Sequence, residues 1–125
     1  MSVGRVNDDL EAILSIEVMG SNGKAVSIET VVDTGFNGFL TLPPWLIDDL
    51  QLPWLYRQQG ELADGRFHVF DVHEAQIHWG DNPRAIEVEV ADTEPLLGMA
   101  ILRNQRLSID VMSGGRVVIE SLKEG

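Results

Sequence analysis

The stretch Ile-Glu-Thr-Val-Val-Asp-Thr-Gly-Phe-Asn-Gly-Phe-Leu-Thr-Leu-Pro, residues 28–43, says most about the architecture of this chain. Residues 28–32 form a run rich in β-branched side chains, which is typical of a largely buried strand. Thr34 and Gly35 are common in turns, and a second apolar run begins at Phe39. The stretch therefore predicts two strands joined by a turn that holds the Asp33 carboxylate at a strand end. Without further context, an ordinary solvated turn explains the same residues.

The rest of the chain predicts a mostly β protein with short helices. Apolar and polar residues alternate over 10–19 and again over 85–91, as in half-buried strands. Asn22-Gly23 favours a tight hairpin, and Pro43-Pro44 predicts the start of a short helix over residues 45–50. Other strands are predicted over residues 25–32, 39–42, 107–111 and 116–120.

Two motifs in the chain resemble those of the retropepsin-like aspartic proteases (clan AA), and in particular their small single-lobe bacterial members. Asp33, Thr34 and Gly35 resemble the catalytic turn. Two apolar residues and a glycine before a short helix, Leu96, Leu97 and Gly98, resemble the family's second motif and follow in the expected order. The resemblance implies that residues 1–125 are one aspartic protease lobe, closed and β-barrel-like, with one or two short helices.

The resemblance also implies the roles of the turn residues. Asp33 matches the catalytic aspartate, Thr34 matches the residue whose hydroxyl links two catalytic turns, and Gly35 matches the turn glycine. Phe36 departs from the family, which usually has Ala or Ser after the triplet.

If the family assignment holds, the number of catalytic carboxylates in one chain implies a homodimer. Aspartic protease chemistry needs two carboxylates that share a proton. The sequence contains one Asp-Thr/Ser-Gly triplet in its 125 residues. Asp33 from each of two subunits would therefore meet at a two-fold axis.

A hairpin is predicted to turn at Ala63, Asp64 and Gly65. By pattern alone, an ordinary surface hairpin is the simpler interpretation. Its position between the two motifs matches the substrate-binding flap of the family.

Composition and charge exclude several function classes. The formal net charge of -11 opposes binding to a phosphate backbone, so we expect no nucleic acid partner. With no cysteine there is neither a disulfide framework nor thiolate chemistry. The chain shows no apolar signal segment and no apolar run long enough to cross a membrane, so we expect a cytoplasmic protein with no membrane partner. His68, His73 and His78 are spaced five residues apart, so on one extended strand the middle side chain would face away from the other two. Metal sites usually need three convergent ligands, so neither a metal site nor another cofactor is expected.

Two functions remain open. The first is a homodimeric aspartic endopeptidase that cuts peptides or proteins. The second is a non-catalytic dimeric module that binds peptides on the same fold. Asp33, Thr34 and Gly35 together favour the protease, whereas Phe36 and the polar pair Gln58-Gln59 keep the binding module open.

Overall fold

The computed structural model describes residues 1–122, in which ten strands and two short helices occur. The elements are β1 (Ser2–Val6), β2 (Ala12–Met19), β3 (Ala25–Val32), β4 (Leu40–Leu42), α1 (Pro44–Asp49), β5 (Trp54–Glu61), β6 (Phe67–Trp79), β7 (Asn82–Val90), β8 (Leu96–Leu97), α2 (Met99–Leu102), β9 (Gln105–Ile109) and β10 (Arg116–Ser121).

Six of the strands form a closed ring. Strands β6, β7, β4, β8, β3 and β2 are hydrogen-bonded in that order, and β2 pairs again with β6. Closure gives each of these six strands partners on both sides, and β5 and β9 remain as the edge strands of the sheet. The predicted mostly β, barrel-like fold with one or two short helices is thereby confirmed.

Alternating side chains supply the core of the ring. In β2 the residues Ala12, Leu14, Ile16 and Val18 are buried, while Ser15 and Glu17 between them are exposed. Successive side chains of a strand point to opposite faces, so one face of β2 is packed and the other is solvated. Leu14, Ile16 and Val18 belong to the apolar core that the ring encloses, which also includes Leu40, Leu42, Ile77, Val88 and Leu97. Ala12 packs in a second, smaller cluster with Val6 and Val117.

Local signals placed several elements correctly. Strand β3 has the predicted bounds, and Gly23 adopts a φ of 84° in the hairpin that precedes it. Helix α1 begins at Pro44, one residue before the predicted start, because proline suits the first helical position. No helix within residues 1–122 is long and apolar enough to cross a membrane.

The first strand was not predicted from the sequence. In β1, Val6 is buried and the other residues are partly or fully exposed, so the sequence carries little hydrophobic periodicity there. Its place is set by pairing with β10, which aligns Ser2 with Ile119. Strands β1, β10 and β9 extend the sheet outward from β2.

Candidate active site

The Asp33 turn lies at the end of β3, directly beside β8. The two strands run parallel, with Val31 opposite Leu96 and Val32 opposite Leu97. The Asp33 N–H continues this pairing and donates to the Leu97 carbonyl at 2.9 Å. The structure thus brings together the two motifs, which are separated by more than 60 residues in the sequence.

The turn holds the Asp33 carboxylate at the surface of the lobe. The Gly35 N–H donates to Asp33 Oδ1 at 2.9 Å, and the Phe36 N–H donates to the Asp33 carbonyl at 3.2 Å. Asp33 is half-buried, and Thr34 and Gly35 are exposed. This arrangement positions the carboxylate while leaving the turn exposed to solvent.

A second set of backbone hydrogen bonds joins the segment after the turn to the start of α2. Gly98 donates to the Phe39 carbonyl at 3.0 Å, Met99 to the Phe36 carbonyl at 2.8 Å, and Ala100 to the Gly38 carbonyl at 3.1 Å. These bonds satisfy the first amides of α2 and pin the turn segment to the lobe.

Gly98 is required by close packing rather than by its backbone angles. Its φ of -103° is open to any residue. A Cβ at this position, however, would overlap the Gly38 carbonyl oxygen and would lie 2.6 Å from Phe36 Cδ2 and 2.8 Å from the Phe36 carbonyl oxygen. The Leu-Leu-Gly motif therefore ends in glycine because the turn segment crosses directly over it.

The hairpin of β5 and β6 projects from the ring and turns at Ala63, Asp64 and Gly65, as predicted. The Leu62 N–H donates to the Arg66 carbonyl at 2.7 Å, and Gly65 has a φ of 84° that favours glycine. All three tip residues are exposed.

A cleft of about 440 Å³ lies between the hairpin and the turn segment. Residues 36–39 form one wall, and hairpin residues Tyr56, Gln58 and Phe70 form another. Asp33 is not part of the cleft wall, which begins three residues after it. The hairpin and the segment that follows Asp33 thus share a concave surface of the size that binds small ligands or single side chains.

Two glutamates of β7, Glu87 and Glu89, complete the cleft, and neither belongs to a recognisable sequence motif. Burial, followed by the nearby charge of Glu87, raises the pKa of Glu89. The Tyr56 hydroxyl donates to Glu87, and this hydrogen bond is the largest cause of the raised pKa of Tyr56. The alternation over 85–91 placed both glutamates on one face of a strand, but it did not show that this face lies beneath the hairpin.

A polar cluster on the outer side anchors the base of the hairpin. Trp54 Nε1 and Arg57 Nε both donate to Asp71 Oδ1, each at 3.1 Å. The two hydrogen bonds, that from Trp54 first, lower the pKa of Asp71. This cluster ties β5 to β6 where the hairpin leaves the ring.

The three histidines all lie on β6, but they do not converge. His73 Nδ1 is 2.8 Å from the Leu52 carbonyl, and His78 Nδ1 is 3.5 Å from Glu17 Oε1. Within residues 1–122, no group of three His, Cys, Asp or Glu side chains is arranged to hold a metal ion.

The closed ring, with the Asp33 turn packed against β8, has a retropepsin-like fold. The fold is similar to that of a retropepsin-like aspartic protease from Rickettsia conorii, with a TM-score of 0.59 and 20% sequence identity. The superposition covers 98% of this chain and 91% of the rickettsial chain. No protein-family model and no curated protein sequence matches the chain. The structural likeness establishes the fold.

Proposed function

We propose that this protein is a homodimeric aspartic endopeptidase and that residues 1–125 form one lobe of it. The observation that carries the proposal is the Asp33 turn. Backbone hydrogen bonds hold this turn beside Leu97. The turn lies next to a cleft, and the hairpin of β5 and β6 forms the opposite wall of that cleft. A carboxylate at an accessible strand end, beside a cleft that can accept part of a peptide, suits hydrolysis of a bound chain.

In the proposed mechanism, two Asp33 carboxylates, one from each subunit, hold one proton between them. The ionised carboxylate takes a proton from a water molecule as the water attacks the scissile carbonyl. The protonated carboxylic acid polarises that carbonyl and gives its proton to the oxygen, which forms a tetrahedral diol. When the diol collapses, the carboxylic acid that took the proton of the water passes it to the leaving nitrogen, the C–N bond breaks, and one diol hydroxyl returns its proton to the other carboxylate. The Gly35 N–H, which donates to Asp33 Oδ1, fixes the orientation of the carboxylate.

The need for a second subunit follows from the single Asp-Thr-Gly triplet in the sequence. Thr34 is exposed at the surface of the lobe, so its hydroxyl is free to contact the corresponding turn of a second copy. We propose that this contact aligns the two carboxylates and that Thr34 has no direct chemical role.

The alternative is a dimeric module that binds peptides without cutting them. The cleft supports this alternative because its wall includes residues 36–39 but not Asp33. In such a module the hairpin and the turn segment capture an extended peptide, and Asp33 contributes only to the turn.

Digestion of a peptide library, analysed by mass spectrometry, separates the two functions. We expect the wild type to cut peptides and the Asp33→Asn variant to lose cleavage, because Asn has the shape of Asp but cannot accept the proton of the water. The matched control is Asp81→Asn, which makes the same change at an exposed turn before β7 and should retain wild-type cleavage. Substantial turnover by Asp33→Asn would refute the role of Asp33, and binding without cleavage by the wild type would establish the alternative.

A further inference from the structure

The cleft beside the Asp33 turn has aromatic walls and an acidic side. Phe36 from the turn segment and Tyr56 and Phe70 from the hairpin line it, together with Glu87 and Glu89 of β7. Aromatic walls pack against the methylene stem of a long side chain, while carboxylates bind a charged end group.

Strand geometry directs both glutamates into this cleft. Glu87 and Glu89 are two residues apart on β7, so they share the face opposite the buried Ile86 and Val88. Glu89 is directly opposite Val72, which also lines the cleft. The Glu89 carboxylate packs against Gly38, where an added Cβ would overlap Oε2. Glu89 therefore lies between the hairpin and the turn segment.

The charge of Glu89 is not balanced by a cation within residues 1–122. The ion pairs of this part of the chain join Lys24 to Asp49, Arg57 to Asp71, Arg66 to Asp64 and His78 to Glu17. Arg84 lies on the opposite face of β7 and stacks over the Phe39 ring, with its guanidinium carbon 5.4 Å from the ring centroid. A half-buried carboxylate without a cation is costly, and an incoming positive charge would relieve that cost.

We propose that this cleft is a specificity pocket for a basic side chain, arginine or lysine, of the peptide substrate, and that Glu89 is the residue that selects it. The inference rests on the proposed function, since it requires that a peptide lie between the hairpin and the turn. Glu87 is held by the Tyr56 hydroxyl and adds to the negative potential. Phe36, Tyr56 and Phe70 contact the stem of the side chain and stack against its cationic end.

Peptide pairs that differ only in charge test the pocket. One peptide of each pair carries arginine, and the other carries citrulline, which has nearly the same shape without the charge. The pair is prepared at each position on either side of a cleaved bond. At the position that enters the pocket, we expect kcat/KM to be about tenfold higher for the arginine peptide than for the citrulline peptide. One charge-assisted hydrogen bond is strong enough to give a difference of this size.

Substitution of Glu89 identifies the source of the preference. We expect Glu89→Gln to reduce the arginine-to-citrulline ratio to less than about twofold, since one such hydrogen bond loses its charge. The control Asp81→Asn removes one negative charge from the exposed turn before β7 and should keep the wild-type ratio. An unchanged ratio in Glu89→Gln, or a wild type that does not distinguish the two peptides at any position, would overturn the proposal.

A binding measurement separates failure of the pocket from failure of the protease. Fluorescence anisotropy of the same labelled peptides is measured with the Asp33→Asn variant, with and without Glu89→Gln. If the wild type cuts nothing but arginine peptides still bind more tightly through Glu89, the protease is refuted and the pocket stands. If peptides are cut but neither binding nor cleavage depends on the basic residue, the protease stands and the pocket is refuted.

Discussion

Replacing Gly98 by alanine tests the packing of the turn against the Leu-Leu-Gly motif. The new methyl group would overlap the Gly38 carbonyl oxygen and press on Phe36. Overpacking of this kind costs about 1–3 kcal/mol. Because two of the obstructing atoms are backbone oxygens, relief requires the turn segment to move. That movement weakens the bonds from Met99 and Ala100, each of which contributes about 1 kcal/mol.

The expected loss in the free energy of unfolding is therefore about 3 kcal/mol, a large part of the ~5–15 kcal/mol of a typical domain. Urea unfolding followed by circular dichroism, at one fixed protein concentration, measures it. The control is Gly65→Ala at the hairpin tip, where no atom beyond the two adjacent residues lies within 4 Å of an added Cβ. Gly65→Ala should lower the free energy of unfolding by only about 1 kcal/mol, because alanine disfavours the left-handed backbone conformation at this position. Equal losses in the two variants would refute the argument that close packing requires Gly98.

The remaining predictions concern the dimer and the effect of pH on stability. If the proposed dimer forms, Thr34→Val should weaken it about tenfold and lower the proposed activity with it, because the proposed hydroxyl contact between the two turns is lost; an unchanged dissociation constant in sedimentation would contradict this. The pKa of Glu89 is raised in the folded protein, so its stabilising contribution is complete at low pH and is lost as pH rises through that pKa. Glu89→Gln should therefore be more stable than the wild type at pH 7, by less than about 1 kcal/mol because water screens a half-buried carboxylate, and this advantage should vanish near pH 4. Urea midpoints at both pH values measure the difference, and an equal advantage at pH 4 would show that the charge of Glu89 is not its cause.

The sequence by itself determined the local elements and the place of the turn. The β-branched run before Asp33 specified β3, and Asn22-Gly23 specified the hairpin before it. Pro44 specified the start of α1. These features depend on backbone dihedral preferences and on the two-residue period of a strand, which neighbouring residues establish. The resemblance of Asp33–Gly35 and 96–98 to protease motifs anticipated the fold.

Only the tertiary structure determined how distant segments meet. The pairing of β1 with β10, the parallel contact of β3 with β8, and the overlap that requires Gly98 all join residues far apart in the chain. The acidic cleft also joins distant segments, since the hairpin residues Tyr56 and Phe70 line it together with Glu89 of β7. Local periodicity states which side chains share a face of a strand. The residues that pack against that face depend on the closure of the whole ring. No short stretch of sequence specifies this closure, because it joins segments that are far apart in the chain.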